Sequence, residues 1–328
     1  MLSRIFSSFA LVLSSALCAG NAVAADADGA NWPTRPIRLV VPYAAGGGTD
    51  VIARIVSIHL AKKLGQPIVI DNRPGAATMI GSEVVARAAP DGYSVLVTTG
   101  TISVLPWLYA KMAFDPVRDL TAVSMFAGSP GVLLVHPSLP VKNVAELVAF
   151  AKARDGTLNY ASAGNGGTGH LGMELLKQKT GINLTHVPYR GGGPAMNAII
   201  AGEVQVEIAN VASAASFIKS GRVRAIAITS GSRSDALPDV PAITEAGLKD
   251  FDVTAWFGAF VPAGTPPAIV EKLSAAFNEA VRQSEVQSAL ALQGVEPLGN
   301  TPSAFAAVVK GDILRWREVV KNAGIKAD

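Results

Sequence analysis

LNYASAGNGGTGHLGMEL, residues 158–175, is the stretch that decides the fold. An apolar segment leads into a loop with Gly164, Gly166, Gly167 and Gly169, and a helical pattern follows. Strand, glycine-rich loop and helix in this order are typical of α/β proteins with parallel strands. The glycine spacing also fits the G-x-G-x-x-G pattern of dinucleotide sites, so the stretch raises the question of which anion the loop binds.

A second stretch, VVPYAAGGGTDVIAR (residues 40–54), repeats this order. Residues 37–98 and residues 158–228 are each predicted to form β-α-β-α-β, although the two segments share no close sequence repeat. Predicted helices begin at Thr49/Asp50 and at His170. The pattern predicts two α/β lobes, each with a mainly parallel sheet, and a ligand crevice between them at the carboxyl ends of the strands.

The lobes are predicted to join near residues 126–132 and 248–256. Predicted strands over 122–126 and 132–135 flank Gly128-Ser129-Pro130-Gly131, which is typical of a break between strands. We therefore expect residues 25–126 plus 251–328 to form the first lobe and residues 127–250 to form the second.

The first 24 residues are predicted to be a signal peptide. One cation, an apolar stretch and the Ala22-Val23-Ala24 motif indicate export to a bacterial periplasm, with cleavage after Ala24. An uncleaved anchor and a lipoprotein signal built on Cys18 are the alternatives, but the apolar stretch is short for a membrane span. Cleavage would remove the single cysteine, so the mature chain would have no disulfide.

The composition argues against nucleic acid as a partner. Among 328 residues, 49% are hydrophobic and 16% are charged, and the net charge is only +3 without a basic run. Nucleic-acid binding requires clustered cations that displace counterions.

The glycine loops suit an anion that is held by the backbone. Glycine allows close approach, and the helix that follows offers unpaired N–H groups and a partial positive charge. Tight strand-to-helix turns without any ligand are the simpler alternative for one loop alone. Two such loops at corresponding positions favour a binding site.

A nucleotide is a poor fit to these loops. The strand after the second loop ends in 185–189 without the acidic residue that would hold a ribose. The first loop has Asp71 after its second strand, but Val51 stands where the third glycine is required. Neither loop continues into the G-K-[ST] sequence of a phosphate-binding P-loop.

Catalytic and metal-binding patterns are weak. His170 and Glu174 lie one helical turn apart, which could suit a metal, but a first-turn histidine beside a surface glutamate is the commoner case. No G-x-S-x-G elbow is present, and no nucleophile, base and orienting group come together. The sequence therefore predicts no enzyme activity, no metal and no cofactor.

Several motifs together resemble one known family. They occur in the same order as in the periplasmic receptors of tripartite tricarboxylate transporters, the Bug proteins, and cover essentially the whole mature chain. These motifs are WPTRPIRLVVPYAAGGGTDVIAR, DNRPGA, APDGYSVLV, FDPVRDL, HLGMELLKQKTG, HVPYRGGGPA, LPDVPAITEAG, VPAGTPPAIVEKL and KNAGIKAD.

The resemblance implies a two-lobed, periplasmic-binding-protein-like fold (a Venus flytrap) that holds a small organic carboxylate for delivery to transporter subunits in the membrane. It implies a monomer whose ligand contacts loop N–H groups and hydroxyls. A partner role for a membrane sensor and an enzyme that uses the same crevice are the alternatives. The ligand-binding residues it implies are Tyr43, Ala45, Gly47, Gly48, Thr49 and Asp50 in the first lobe and Ser162, Ala163, Gly164, Gly167, Thr168 and His170 in the second.

One departure from the family pattern bears on the ligand. Ser103, Val104 and Leu105 stand where the family more often has polar or small residues, and they could line the distal part of the pocket with apolar groups. A place for Leu105 in the core is the alternative.

Overall fold

The computed structural model describes residues 31–109, 111–189 and 191–325, so the predicted signal peptide lies outside the described residues. The strands within these ranges are β1 (Ile37–Val41), β2 (Ile68–Asn72), β3 (Ser94–Thr99), β4 (Leu120–Val135), β5 (Asn159–Ser162), β6 (Thr185–Pro188), β7 (Val206–Asn210), β8 (Arg224–Ile228), β9 (Thr254–Pro262) and β10 (Glu296–Pro297). The α-helices are α1 (Gly48–Leu64), α2 (Met79–Ala86), α3 (Thr101–Leu108), α4 (Val144–Lys152), α5 (Thr168–Thr180), α6 (Gly192–Ala201), α7 (Val211–Lys219), α8 (Pro267–Ala280), α9 (Ser284–Leu292) and α10 (Pro302–Ala323). Among the helices of this part of the chain, none combines the length and apolarity that crossing a bilayer requires.

Strand β4 belongs to both lobes. Its residues 120–130 pair with β9 in the first lobe, and its residues 131–135 pair with β7 in the second. The prediction of two separate strands here is wrong, because Gly131 allows the strand to continue where the lobes meet. A Cβ atom at Gly131 would lie 2.4 Å from Thr229 Oγ1, so a side chain could not fit.

The two-lobed α/β architecture is confirmed, but both sheets are mixed rather than mainly parallel. The overall strand order is β2-β1-β3-β9-β4-β7-β5-β6. Strands β2, β1 and β3 are parallel, and so are β6, β5 and β7. Strand β4 crosses between the lobes and pairs antiparallel with β9 and β7, and β9 pairs antiparallel with β3, which accounts for the difference.

The strand directions place both glycine loops on the edges where the lobes face each other. Strands β3 and β4 both run antiparallel to β9, and β1 runs parallel to β3. Strands β1, β3 and β4 therefore run in the same direction. It then enters the second lobe, where β7 and β5 run in the opposite direction. The carboxyl ends of β1 and β5 therefore point toward each other.

Helices cover both faces of each sheet. In the first lobe, α1, α8 and α9 bury one face, where Phe126 stacks on Phe277 at 5.0 Å between ring centroids. The opposite face buries Trp256 and Phe260 beneath α2, α3 and α10, and α10 contributes Phe305 to this cluster. In the second lobe, α4 and α5 cover one face and α6 and α7 the other.

Helix α10 packs against both lobes. Its first half contributes Phe305 to the first-lobe core, whereas Trp316, Val319 and Val320 join the core formed with Leu133. The predicted assignment of residues 251–328 to the first lobe stays a prediction, and the second half of α10 packs on the second lobe.

The caps of α1 and α5 differ from the predicted ones. Helix α1 begins at Gly48 with Gly47 as its N-cap, and α5 begins at Thr168 with Gly167 as its N-cap. Helix α10 has a side-chain cap, since Thr301 Oγ1 accepts from Ala304 N at 3.2 Å.

We expect Gly258→Ala to destabilise the first lobe by about 1–3 kcal/mol through overpacking. A Cβ at Gly258 would lie 2.2 Å from Cζ of the fully buried Phe305. Gly311→Ala is the control, because its Cβ meets open space on exposed helix α10, and it should stabilise by roughly 0.5–1 kcal/mol. Urea unfolding measures both; equal effects would contradict the packing argument.

Candidate functional site

The two glycine loops have the same backbone conformation at the two residues that precede each helix. Gly47 (φ −73°, ψ 163°) matches Gly167 (φ −71°, ψ 163°), and each is preceded by a glycine with positive φ, Gly46 at 79° and Gly166 at 69°. The N–H of Gly47 donates to Ala44 O at 3.1 Å, and that of Gly167 donates to Gly164 O at 3.4 Å. The loops are therefore a structural repeat.

Both loops leave the start of a helix uncapped by a side chain. Gly47 and Gly167 make no side-chain hydrogen bond to the helices that follow them. The first N–H groups of α1 and α5 are then available to an anion, which the helix dipole also favours. Since residues 42–49 and 162–168 contain no Lys or Arg, the backbone is the source of positive potential within the loops.

Asp50 supports the first loop from within the lobe. Its Oδ2 accepts from Gly46 N at 2.8 Å and from Arg54 Nε at 2.9 Å, and its Oδ1 accepts from Asn72 Nδ2 at 3.0 Å. The hydrogen bond from Arg54 is the largest effect that lowers the pKa of the buried Asp50 carboxyl. Both oxygens are thus engaged in holding the loop.

A row of hydroxyls extends the first loop toward β3. Tyr43 OH lies 2.6 Å from Thr99 Oγ1, which lies 3.1 Å from Thr101 Oγ1. The carbonyl of Tyr43 accepts from Asn72 Nδ2 at 3.1 Å, so Asn72 connects this residue to Asp50. These contacts bring together the ends of three neighbouring strands.

His170 supports the second loop at the position that corresponds to Asp50. Its Nδ1 accepts from Gly166 N at 3.0 Å. The imidazole of His186 stacks on that of His170 with 3.9 Å between centroids, and His186 Nε2 lies 2.6 Å from Ser162 Oγ. Ser162 Oγ also accepts from Gly164 N at 3.2 Å, so both histidines contact the loop's hydrogen-bond network.

Burial favours the neutral form of both imidazoles. It lowers the pKa of His170 to about 4, with a further decrease from His186, whereas Glu174 acts in the opposite direction. The pKa of His186 is also lowered, again mainly by burial. Glu174 Oε1 accepts from Tyr160 OH at 2.6 Å and from Lys177 Nζ at 2.7 Å, which compensates its charge.

His170 and Glu174 do not form a metal site. Across the described ranges, no group of three His, Cys, Asp or Glu side chains is arranged to hold an ion. His170 Nδ1 is already used by Gly166, and Glu174 Oε1 by Tyr160 and Lys177, so both side chains serve the fold.

The predicted site residues occupy the two facing loops and the first turns of α1 and α5. Thr49, Asp50, Ser162 and His170 are buried. The exposed or half-buried positions, which a ligand could reach, are Tyr43, Ala45, Gly47, Gly48, Ala163, Gly164, Gly167 and Thr168.

Sequence reasoning missed the residues that support the loops from other strands. Asn72, Thr99 and His186 contact the loops through side chains, yet each is far from them in the chain. Position gives a signal for two of them: Asn72 and Thr99 end the strands on either side of β1, whereas His186 lies within β6, next to β5.

Helix α3, which the sequence did not predict, closes one side of the site. A Cβ at Gly166 would lie 3.6 Å from Leu108 Cδ1, so α3 of the first lobe reaches the second loop. Ser103, Val104 and Leu105 are fully buried, and Val104 and Leu105 belong to hydrophobic core clusters. They form part of the core rather than an apolar pocket lining.

Strand β7 carries an unexpected buried carboxyl group. Glu207 pairs with Leu134 of β4 and Ala161 of β5, is only 2% exposed, and its Oε2 has no hydrogen-bond partner. Burial raises the pKa of Glu207 to about 8, because the charged form is poorly solvated there.

Comparison with known proteins gives consistent matches. The family described as "Tripartite tricarboxylate transporter family receptor" matches residues 52–325. The protein BugT of Bordetella pertussis is 36% identical over 306 residues, which cover 93% of this chain and 94% of BugT.

Two similar solved structures come from Rhodopseudomonas palustris and contain dicarboxylates. Rpa4515 with adipate is 36% identical, with a TM-score of 0.73 and coverage of 90% of this chain and 99% of that one. MatC with bound malate is 37% identical, with a TM-score of 0.70 and coverage of 88% and 100%.

We expect Asp50→Ala to destabilise the protein by about 1–3 kcal/mol, because the Gly46 N–H and the half-buried Asn72 amide lose their acceptor. Arg54→Ala is the matched control and should have a much smaller effect, since Arg54 is 53% exposed. Urea unfolding at pH 7 compares them. Equal losses of stability in the two variants would mean that the ion pair of Asp50 with Arg54, and not the contact of Asp50 with the loop, stabilises the protein.

The raised pKa of Glu207 predicts a pH-dependent stability. The folded protein keeps the proton up to about pH 8, whereas the unfolded chain releases it near 4.5. The contribution of this raised pKa to the free energy of unfolding is complete below pH 4.5 and is lost as the pH rises through 8. The stability of Glu207→Gln relative to wild type should therefore increase between pH 5 and pH 8.5, by on the order of 3 kcal/mol. Urea unfolding measures the stability of both proteins. The same stability difference between Glu207→Gln and wild type at pH 5 and at pH 8.5 would contradict the prediction.

Proposed function

Since this chain belongs to the tripartite tricarboxylate transporter receptor family, we propose that it binds a small organic carboxylate between its lobes and delivers it to the membrane subunits of such a transporter. The observation that carries the proposal is the pair of glycine loops, which lead in the same way into uncapped helix N-termini on the facing edges of the lobes. We further propose that residues 1–24 direct export to the periplasm and that the receptor acts as a monomer without catalysis.

A carboxylate fits the chemistry of the two loops. Backbone N–H groups, hydroxyls and helix dipoles stabilise negative charge without a paired cation. The nearest basic side chain in the first lobe, Arg54, is engaged by Asp50. The adipate and malate in Rpa4515 and MatC are small dicarboxylates, and they support this ligand class.

The residues that we assign to the ligand divide between contact and support. Residues of the loops and the first residues of α1 and α5 would contact the carboxylate, whereas Asp50, Ser162 and His170 would hold the loops in shape. The proposed contact residues are Tyr43, Ala45, Gly47, Gly48 and Thr49 in the first lobe and Ala163, Gly164, Gly167 and Thr168 in the second.

Binding would be coupled to closure of the lobes. Strand β4 crosses between the lobes, the chain crosses back where Val253 leads into β9, and these two connections form the natural hinge, with α10 packed on both sides of it. A ligand that contacts both loops interacts with the closed state more strongly than with the open one, which shifts the population toward closure. The transporter can then distinguish the loaded receptor by its shape.

The test is a thermal-shift and calorimetric screen of the purified protein against malate, adipate, citrate and aromatic acids. Ligand at about 100 times Kd stabilises the folded state by roughly 2.7 kcal/mol, which raises the melting temperature measurably. A screen in which no carboxylate shifts the transition would overturn the proposed function.

Gly167→Asp tests the position of the site. It should abolish binding of any carboxylate that the screen identifies, because it places a negative charge at the N-terminus of α5. The backbone of Gly167 (φ −71°) accommodates a side chain, so folding should persist. Gly311→Asp adds the same charge at a solvent-exposed position of α10 outside the loops and should bind as wild type does. Unchanged affinity in Gly167→Asp would contradict the proposed site.

A further inference from the structure

The two loops are supported by different kinds of acceptor at equivalent positions. In each loop a glycine N–H donates to the side chain four residues later. The N–H of Gly46 donates to Asp50, and the N–H of Gly166 donates to His170. The loops are 120 positions apart, so 46 corresponds to 166, 50 to 170 and 54 to 174. The partner of Asp50 is the cation Arg54, whereas the corresponding residue beside His170 is the anion Glu174.

The hydrogen bond defines the protonation state of His170. A backbone N–H can only donate, so Nδ1 of His170 must be unprotonated, and the proton of the neutral ring is on Nε2. A second proton on Nδ1 would place two N–H groups against each other at a separation of 3.0 Å. The loop conformation therefore requires a neutral His170.

We propose that His170 is a positioning residue that makes the second ligand loop, and with it carboxylate binding, sensitive to acid, whereas Asp50 keeps the first loop insensitive. Protonation of His170 removes the acceptor of Gly166 and releases the loop that precedes the N-terminus of α5. The carboxylate Asp50 remains an acceptor because Arg54 and Asn72 stabilise its charge. This inference rests on the proposed function for its effect on binding but not for its effect on the loop.

The surroundings of His170 keep the ring neutral until the solution is distinctly acidic. His186 of β6 stacks on it, and a second positive charge at 3.9 Å would be unfavourable. Tyr160 of β5 lies 6.3 Å away between ring centroids. On α5 itself, Glu174 favours the cation and Lys177 opposes it. The end of α10, residues 322–325, faces the same space with uncharged groups.

A cavity gives protons access to the two histidines. A cavity of about 710 Å³ lies beside them and is lined by both histidines, Glu174, Lys177 and the end of α10. Lys177, at 21% side-chain exposure, connects this cavity with solvent.

The first experiment needs no ligand. Nuclear magnetic resonance of the purified protein follows the His170 ring and the backbone amides of Gly166 and Gly46 from pH 7.5 to 4. The Gly166 amide should shift together with the His170 ring, and this shift should be lost in His170→Asn, whose side-chain oxygen can replace Nδ1 as acceptor. Gly46 is the internal control and should not follow the histidine. A Gly166 amide that ignores the titration of His170 would overturn the proposal.

The second experiment measures the affinity for malate, adipate or another carboxylate that binds, with each protein normalised to its own value at pH 7.5. Below the pKa of His170, wild type should lose affinity by about tenfold per pH unit relative to His170→Asn, since one proton is linked to binding. The ligand's own titration affects both proteins equally and cancels. His170→Ala lacks the acceptor and should bind more weakly than His170→Asn at pH 7.5.

The outcomes distinguish the proposed role of His170 from the proposed binding of a carboxylate. Parallel pH profiles of wild type and His170→Asn would refute the role of His170 even if a carboxylate binds. A coupled titration of Gly166 and His170 without binding of any carboxylate would support the loop device and count against the proposed function.

Discussion

The hydrogen bond from a loop N–H to a side chain four residues later is the interaction on which the candidate site depends. Gly46 donates to Asp50 and Gly166 donates to His170, and each bond holds a glycine loop in the conformation that leaves a helix N-terminus uncapped. Without these acceptors the loop amides would be unsatisfied within the lobe, and the backbone would have to rearrange. Side chains within each lobe thus determine the shape of the anion site.

Strand β4 turns the two loops into one site. Because it pairs with β9 in one lobe and with β7 in the other, it sets the relative direction of the two sheets. The loops after β1 and β5 then face each other, although each is built only from its own lobe. The same crossing, with α10 packed on both sides, provides the connection around which the lobes can move.

Much of this arrangement could be predicted from local patterns. The glycine loops, the alternation of strands and helices and the family motifs identified the two lobes and the family. Prediction failed at β4, where Gly128–Gly131 was interpreted as a break, and at α3, which begins directly after β3. That Asp50 and His170 contact the ligand stays a prediction, and their hydrogen bonds with Gly46 and Gly166 give them a supporting role in the loops.

The sequence by itself determined which segments become loops and helices and where glycine permits close approach, because these properties depend on neighbouring residues. Only the tertiary structure decided that Asn72, Thr99 and His186 support the loops, because they reach them from adjacent strands. It also decided that His170 is neutral, since burial and the stacked ring of His186 follow from the packing of α5 against β6. Contacts between distant segments form only when the sheets assemble, so no local pattern records them.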